Sequence, residues 1–265
     1  MAGNNSRSGT TVLEKVTKIL EAFAGNRVTM TLSELSRATD LPASTVHRLA
    51  GELVTWGGLE RTEEGEYAVG LRLWEIAARS PRSLDLRESA MPFLQDLFDD
   101  TRQHVQLAVL DGSDALLLEK ISGPHAIYTI GRPGGRLPLH ASAVGKVLLA
   151  TSSAECQERF LARRLTAYTP QTITSARTLV RQLAHVRDRG FAVSAEELSS
   201  GVVSCAAAVT GPGQEPLGAV SVLMPAESGP PRRWSQVVTA AAAAISGALL
   251  QRRSAPAISA RLTGR

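Results

Sequence analysis

The chain has 265 residues, of which 43% are hydrophobic and 20% are charged. This composition is sufficient for packed cores and excludes wholesale disorder, and the length fits one large domain or two ordinary ones. The 29 basic and 25 acidic residues give a net charge of +4 and a pI near 9.4, which at first sight favours a polyanionic partner such as nucleic acid.

The location of the charge weakens that inference. Residues 1–80 contain 9 basic and 10 acidic residues, whereas residues 228–265 contain six arginines and no acidic residue. Without that last segment the chain would carry a net charge of −2. The basic balance is therefore a property of the carboxy-terminal end and does not locate a DNA site.

Other classes of protein are excluded by what the sequence lacks. Two isolated cysteines, Cys156 and Cys205, form neither a disulfide framework nor a zinc site. No apolar run approaches the roughly 20 residues of a membrane span, and the polar amino terminus lacks the apolar core of a signal peptide. The five histidines show no metal-ligand spacing. We therefore expect a cytoplasmic protein without metal, cofactor or membrane contact.

The first 70 residues predict short helices followed by a hairpin. Apolar residues at helical spacing predict helices at 12–24, 32–39 and 43–56. Pro42 precedes the third helix and Gly57 ends it. Strands are predicted at 29–31, 59–62 and 67–69, with the last two joined by a glycine-containing turn.

This order of elements is typical of a winged helix-turn-helix. The third helix, the recognition helix, would enter the major groove of DNA with its polar side chains outward: Ser44, Thr45, His47, Arg48, Gly51 and Glu52. Its arginine can make a bidentate bond to guanine or contact a phosphate. The alternative is a three-helix bundle with a solvated polar face.

The remainder of the chain predicts an α/β domain of the α+β type. A short helix at 71–78 precedes residues 80–83, the best linker in the chain, where we place the domain boundary. Helices are predicted at 84–101, 143–150, 154–161, 175–189 and 234–253, and strands at 104–110, 115–121, 126–130, 191–194, 204–209 and 217–224. This arrangement favours an antiparallel sheet flanked by helices.

Residues 131–150 form the most unusual segment, because a Gly- and Pro-rich stretch leads into a helix. That helix would begin near Ser142 and Ala143, and a helix start offers backbone N–H groups and a positive dipole end to an anion. The alternative is a surface loop leading into an ordinary core helix. The spacing of the segment matches neither a phosphate-binding P-loop nor the nucleophile elbow of a hydrolase.

Two further groups of residues leave alternatives open. Cys205 and His140 could form a nucleophile pair, although Cys205 lies in an apolar strand where a small buried residue is the commoner role. The pair Glu196-Glu197 is either solvated, or one of the two carboxylates faces a pocket and orients a ligand hydroxyl.

Three blocks of sequence resemble the IclR family of bacterial transcriptional regulators. Residues 41–49 (LPASTVHRL) resemble its recognition helix, and residues 66–70 (EYAVG) resemble the end of its wing. Residues 136–150 (RLPLHASAVGKVLLA) are similar to the family pattern throughout. The third block joins residues 189–193 (RGFAV), the Glu196-Glu197 pair and residues 204–207 (SCAA).

The resemblance implies a winged helix-turn-helix at 12–70, a linker helix and linker at 71–83 and a GAF-like effector-binding domain at 84–253. We expect residues 1–11 to be disordered and residues 254–265 to form a mobile basic tail. The resemblance also implies a homodimer or a dimer of dimers that binds a pseudo-palindromic operator in double-stranded DNA. The implied effectors are small carboxylates or aromatic acids.

The same resemblance implies two sets of site residues. The DNA-binding set is Ser33, Pro42, Ser44, Thr45, His47, Arg48, Arg61 and Tyr67. The effector-binding set is Leu137, Leu139, Ser142, Ala143, Val144, Glu196, Val203, Cys205 and Ser221.

The chain departs from the family in two places. The family often has acids just before the glutamate pair, where this chain has Ser194 and Ala195. The wing is acidic, with four glutamates around the single Arg61, so phosphates should repel it at low salt.

The sequence therefore predicts a DNA-binding transcriptional regulator, and not an enzyme, whose operator affinity is controlled by a small-molecule effector. Two alternatives remain: an enzyme that acts on a small organic acid through Cys205 and His140, and a general nucleic-acid binder that works through the arginine-rich end.

Overall fold

A computed structural model of the chain describes residues 11–25, 27–123, 131–229 and 232–254. The chain divides into two compact units, and the division falls between Pro81 and Arg82.

The described part of the amino-terminal unit consists of four α-helices, a 3-10 turn and a small sheet. Its elements are α1 (Val12–Glu21), a 3-10 turn (Ala22–Ala24), β1 (Thr29–Met30), α2 (Leu32–Thr39), α3 (Ala43–Trp56), β2 (Leu59–Arg61), β3 (Tyr67–Val69) and α4 (Leu71–Ala77). The three strands are antiparallel in the order β1-β3-β2. This is the predicted winged helix-turn-helix.

Local sequence sets the ends of these helices. Thr11 and Thr31 each form a capping box with a glutamate three residues later, which satisfies free N–H groups at the starts of α1 and α2. Gly57 ends α3 in the left-handed conformation, with a φ of 85°. Because both ends of α3 are fixed locally, the predicted and observed bounds of the recognition helix agree.

In its described residues, the carboxy-terminal unit contains a six-stranded sheet and five helices. Its elements are α5 (Pro81–Thr101), β4 (His104–Asp111), β5 (Asp114–Ile121), β6 (Arg136–Pro138), α6 (Ala143–Thr151), α7 (Ala154–Leu161), α8 (Ala176–Arg189), β7 (Phe191–Ala195), β8 (Val202–Thr210), β9 (Pro216–Pro225) and α9 (Arg232–Ser254). All the pairings are antiparallel, and the strand order is β6-β5-β4-β9-β8-β7.

Each face of this sheet packs against its own set of helices. On one face, alternate strand residues such as Ala108, Ala206 and Ala219 pack with α6 and α8. On the opposite face, Val203, Cys205 and their neighbours pack with α5 and α9. The period-two alternation of a strand therefore decides which helices each residue contacts.

Several predicted boundaries need correction. Helix α5 begins at Pro81, so residues 81–83 are helical and not an open linker; proline suits the first turn of a helix because its missing N–H is not needed there. Strand β6 was not predicted, because three residues are too few to show alternation. The strand predicted at 126–130, most of the amino-terminal segment 1–11 and all but the first residue of the predicted tail 254–265 lie outside the described residues.

The two cysteines lie in different surroundings. Cys205 is fully buried on the α9 face of the sheet, and burial raises the pKa of its thiol to about 12. Cys156 is partly exposed on α7. His140 belongs to the other side, where its Nε2 lies 2.8 Å from the Thr166 carbonyl oxygen. The structure does not bring Cys205 and His140 together, and a thiol with this pKa is a poor nucleophile.

We predict that iodoacetamide at pH 8 modifies Cys156 at least a hundredfold faster than Cys205 in the native protein. The reason is that the thiolate is the reactive form, and a pKa of about 12 leaves about one thiol in ten thousand ionised at that pH. Peptide mass spectrometry measures both rates, and denaturant should make them similar. Equal rates without denaturant would contradict the burial of Cys205.

Candidate functional site

Helix α3 presents a polar exposed face in the amino-terminal unit. Val46, Leu49, Ala50 and Leu53 are buried, whereas Ser44, His47 and Arg48 are exposed and Thr45 is partly buried. The Arg48 guanidinium lies 2.6 Å from the Glu52 carboxylate, one helical turn later. Both side chains are about 60% exposed, so the ion pair is weak, and Arg48 can exchange this partner for DNA at little cost.

The other predicted DNA contacts divide into surface and core residues. Ser33, Pro42 and Arg61 are exposed. Tyr67 is only 1% exposed, so its prediction as a surface contact is wrong. Its hydroxyl accepts a hydrogen bond from the Arg61 guanidinium at 2.7 Å, and that guanidinium lies 4.8 Å from the ring centroid. Tyr67 therefore positions Arg61 from within the core of the wing.

One of the acidic residues of the wing has a structural partner. The Glu60 carboxylate accepts a hydrogen bond from the Leu71 N–H at 3.1 Å, at the first residue of α4. A carboxylate at a helix start interacts favourably with the helix dipole. Part of the negative charge of the wing thus caps the following helix.

A cavity of about 410 Å³, counting space open to solvent, lies on the α6 side of the large sheet in the carboxy-terminal unit. Its walls are the start of α6, strands of the sheet and the loop between β7 and β8. The lining residues are Gln106, Leu137, Ala141, Ser142, Ala143, Val144, Ser194, Leu198, Ser199, Val202, Ser204, Ser221 and Leu223.

The first turn of α6 forms one wall of the cavity. The Ser142 hydroxyl caps the helix by accepting from the Gly145 N–H at 3.1 Å and donates to the Pro138 carbonyl oxygen at 2.8 Å. A Cβ on Gly145 would lie 2.5 Å from the Leu139 Cα, so glycine is required for the tight approach of the loop. This packing aims the positive end of the helix dipole at the cavity.

Two buried polar groups that line the cavity have no hydrogen-bond partner among the described residues. Gln106 and Ser221 face each other on neighbouring strands, and each is 1% exposed. The Gln106 Nε2 and the Ser221 Oγ are both unpaired. A buried polar group without a partner costs about 1–3 kcal/mol, so these two atoms leave hydrogen-bonding capacity unused on the cavity wall.

The structure brings together only part of the predicted effector set. Leu137, Ser142, Ala143, Val144 and Ser221 line the cavity. Among the described residues, no charged side chain does so. The polar lining is therefore neutral, and any attraction for an anion must come from backbone dipoles and hydrogen-bond donors.

Four residues of the predicted set are not part of this cavity. Val203 and Cys205 point to the α9 face, because neighbouring strand residues alternate between faces. Leu139 is fully buried in the core. The Glu196 carboxylate accepts from the Gly201 N–H at 2.7 Å within its own loop, away from the cavity.

A buried ion pair lies behind the loop between β7 and β8. Lys146 on α6 is fully buried, and its Nζ lies 2.5 Å from the Glu197 Oε1. Burial lowers the pKa of the Lys146 ammonium and raises the pKa of the Glu197 carboxyl, because the loss of water exceeds the attraction between the two charges. Of the Glu196-Glu197 pair, the second carboxylate is thus the buried one, and it binds a lysine rather than a ligand.

Sequence reasoning missed Gln106 as a lining residue. A polar residue in the apolar run of β4 is its only sequence signal, and this resembles ordinary strand alternation. Within the described part of the chain, no cluster of three or more His, Cys, Asp or Glu could hold a metal ion. Nor does that part contain a helix long and apolar enough to cross a bilayer.

Comparisons with known proteins match both units. Residues 12–63 match the family model described as the IclR helix-turn-helix domain. Residues 79–247 match the model described as the bacterial transcriptional regulator IclR C-terminal region.

Curated relatives match most of the chain. It is 34% identical to the HTH-type transcriptional regulator XynR of Escherichia coli over 192 residues, which cover 72% of this chain and 76% of the relative. It is 33% identical to the transcriptional repressor IclR of the same organism over 212 residues, 78% of this chain and 77% of the relative.

Solved structures share the fold. An IclR homolog from Microbacterium hydrocarbonoxydans in complex with 4-hydroxybenzoate matches with a TM-score of 0.86 and 33% identity, over 92% of this chain and 100% of that one. The IclR of Thermotoga maritima matches with a TM-score of 0.71 and 26% identity, over 89% of this chain and 98% of that one. With a winged helix-turn-helix, a cavity-bearing antiparallel sheet and matches in both units, the chain belongs to the IclR family of bacterial transcriptional regulators, and not to a family of enzymes.

Proposed function

We propose that this regulator binds a pseudo-palindromic operator and that a small acid in the α6 cavity controls its operator affinity. The observation that carries the proposal is the cavity with two buried unpaired polar atoms in a chain that also has an exposed polar recognition helix. The effector would act by binding one arrangement of the protein better than another. Because DNA is the partner, we place this activity in the cytoplasm.

The proposed assembly is a homodimer or a dimer of dimers. Two recognition helices related by a two-fold axis would each contact one half of the operator. The amino-terminal unit exposes three large apolar side chains on α4, namely Leu71, Trp74 and Ile76, at 71%, 58% and 54%. Such a patch supports an interface in which α4 is covered by a second copy.

The proposed effector is a small carboxylate with a polar group at its other end. The start of α6 suits the carboxylate, whereas Gln106 and Ser221 suit a hydroxyl or carbonyl, and leucine and valine side chains between them suit an apolar body. A hydroxylated aromatic acid has this shape. The relative from Microbacterium hydrocarbonoxydans is described in complex with 4-hydroxybenzoate, which supports the class.

We predict that Arg48→Ala weakens operator binding by about tenfold or more, the effect of losing one good bidentate contact. Fluorescence anisotropy with a duplex from the DNA upstream of the gene measures the change. Glu52→Ala is the matched control, because it breaks the same ion pair but keeps the guanidinium. It should bind DNA at least as well as the wild type; a similar loss in both variants would show that the ion pair, and not the DNA contact, matters.

We predict that Gln106→Leu weakens binding of 4-hydroxybenzoate by about tenfold and leaves the protein as stable as before or more so. The substitution removes a donor to the ligand and also removes a buried unpaired amide. Calorimetry and thermal unfolding measure the two effects. Ser142→Trp should abolish binding by filling the cavity, whereas Cys205→Ala, on the opposite face of the sheet, should not change it. Unaltered affinity in Ser142→Trp would exclude this cavity as the effector site.

We predict that truncation after Leu250 changes the salt dependence of operator binding by less than about one unit of slope. The removed segment contains four arginines, and if all of them contacted phosphates the slope would fall by about 3.6 units. We expect so small a change because the recognition helix in the amino-terminal unit, and not this segment, supplies the DNA contacts. A large fall in slope would favour the general nucleic-acid binder.

A further inference from the structure

We propose that the buried ion pair between Lys146 and Glu197 is a positioning device that holds the rim loop, residues 196–201, against the effector cavity. The inference rests on the proposed function, since it concerns the same cavity. Neither side chain lines the cavity, so both would act through the backbone that they hold in place.

The lysine ties three parts of the unit together. Its Nζ donates to the Glu197 carboxylate at 2.5 Å, to the Gln182 side-chain oxygen at 2.8 Å and to the Val193 carbonyl oxygen at 3.2 Å. These acceptors belong to the rim loop, to α8 and to β7. All three donor positions of one ammonium are therefore used, and they fix the direction from which each acceptor approaches.

The rim loop is held at further points on the same side. The Thr172 hydroxyl donates to the Glu197 carbonyl oxygen at 2.6 Å, and the Thr169 hydroxyl donates to the Glu196 carbonyl oxygen at 2.7 Å. Glu196 itself has a φ of 56°, a left-handed conformation that turns the chain sharply before Glu197. These contacts fix the backbone conformation of the loop at Glu197. The next two residues, Leu198 and Ser199, line the cavity.

Helix α6 contributes to both ends of this arrangement. Its first turn, at Ser142 and Ala143, lines the cavity, and Lys146 follows one turn later. One ion pair therefore joins the helix wall of the cavity to the loop wall. The ion pair therefore sets the distance between the two walls that a ligand in the cavity would contact.

The ionic character of the contact supports a positioning role. Apolar side chains of similar volume often stabilise a core as well as a buried ion pair does, because the pair must give up its hydration. Among the described residues, the Glu197 Oε2 has no hydrogen-bond partner, which adds to that cost. The directional hydrogen bonds of the ion pair instead fix the position of the loop relative to α6.

The test compares Glu197→Gln with Glu196→Gln in the full-length protein. The two variants lose the same charge in the same loop, but only the first breaks the buried pair. We expect hydrogen exchange of residues 198–202, without Gly201, to become at least tenfold faster in Glu197→Gln, with β9 unchanged, and to stay within twofold in Glu196→Gln. Gly201 is left out because its N–H donates to the Glu196 carboxylate, so the control alters that amide directly. The dissociation constant for 4-hydroxybenzoate should rise at least tenfold in the first variant only.

A milder variant covers the case in which Glu197→Gln does not fold. Glu197→Asp keeps the charge and shortens its reach by one methylene, so it should show the same loop-specific exchange in a smaller degree. Unchanged exchange at 198–202 in a folded variant would overturn the proposal. If the wild type binds neither 4-hydroxybenzoate nor benzoate, the effector class is wrong, and the exchange rates of the free protein still decide whether the pair holds the loop.

Discussion

Alternation of side chains along the strands of the large sheet determines where this protein can bind a ligand. The face toward α5 and α9 is filled by residues such as Val203, Cys205 and Val222, and forms an apolar core. The other face carries Gln106 and Ser221 at opposed positions, next to the start of α6. A shift of one residue in register would exchange the two faces of a strand. The register that keeps the core residues buried therefore also keeps the cavity-lining residues in place.

The lining of the cavity is not explained by stability alone. Buried polar atoms without partners oppose folding, and here two such atoms lie on one wall of one space. A ligand that supplies their hydrogen bonds would stabilise the folded state in proportion to its binding. The same ligand would contact α6 and the rim loop, which the ion pair between Lys146 and Glu197 joins. Because the Lys146 Nζ also donates to Gln182 on α8 and to Val193 on β7, binding in the cavity would be coupled to the packing of α8 and β7.

Local sequence signals were sufficient to predict most of the helices and strands. The residues that line the cavity were harder to predict, because they are brought together by long-range strand pairing. Pro42 and Gly57 fix both ends of α3 within the sequence itself. In contrast, the face of β8 that meets the cavity depends on its register with β7 and β9. Cys205, which the resemblance implies as an effector contact, lies on the opposite face, toward α9. Lys146 and Glu197 are 51 residues apart, so their contact has no local signature.

The distribution of charge bears on how such a protein holds DNA. Arg48 is paired with Glu52, Arg61 is held by Tyr67, and Arg252 is paired with Glu88, so several cations already have partners in the free protein. Binding through a few exchangeable arginines gives a modest affinity for each copy of the unit. A two-fold assembly raises that affinity by making the second contact intramolecular, and the gain depends on the spacing of the two recognition helices. An effector that alters this spacing would therefore change operator affinity without touching a single DNA-contacting residue.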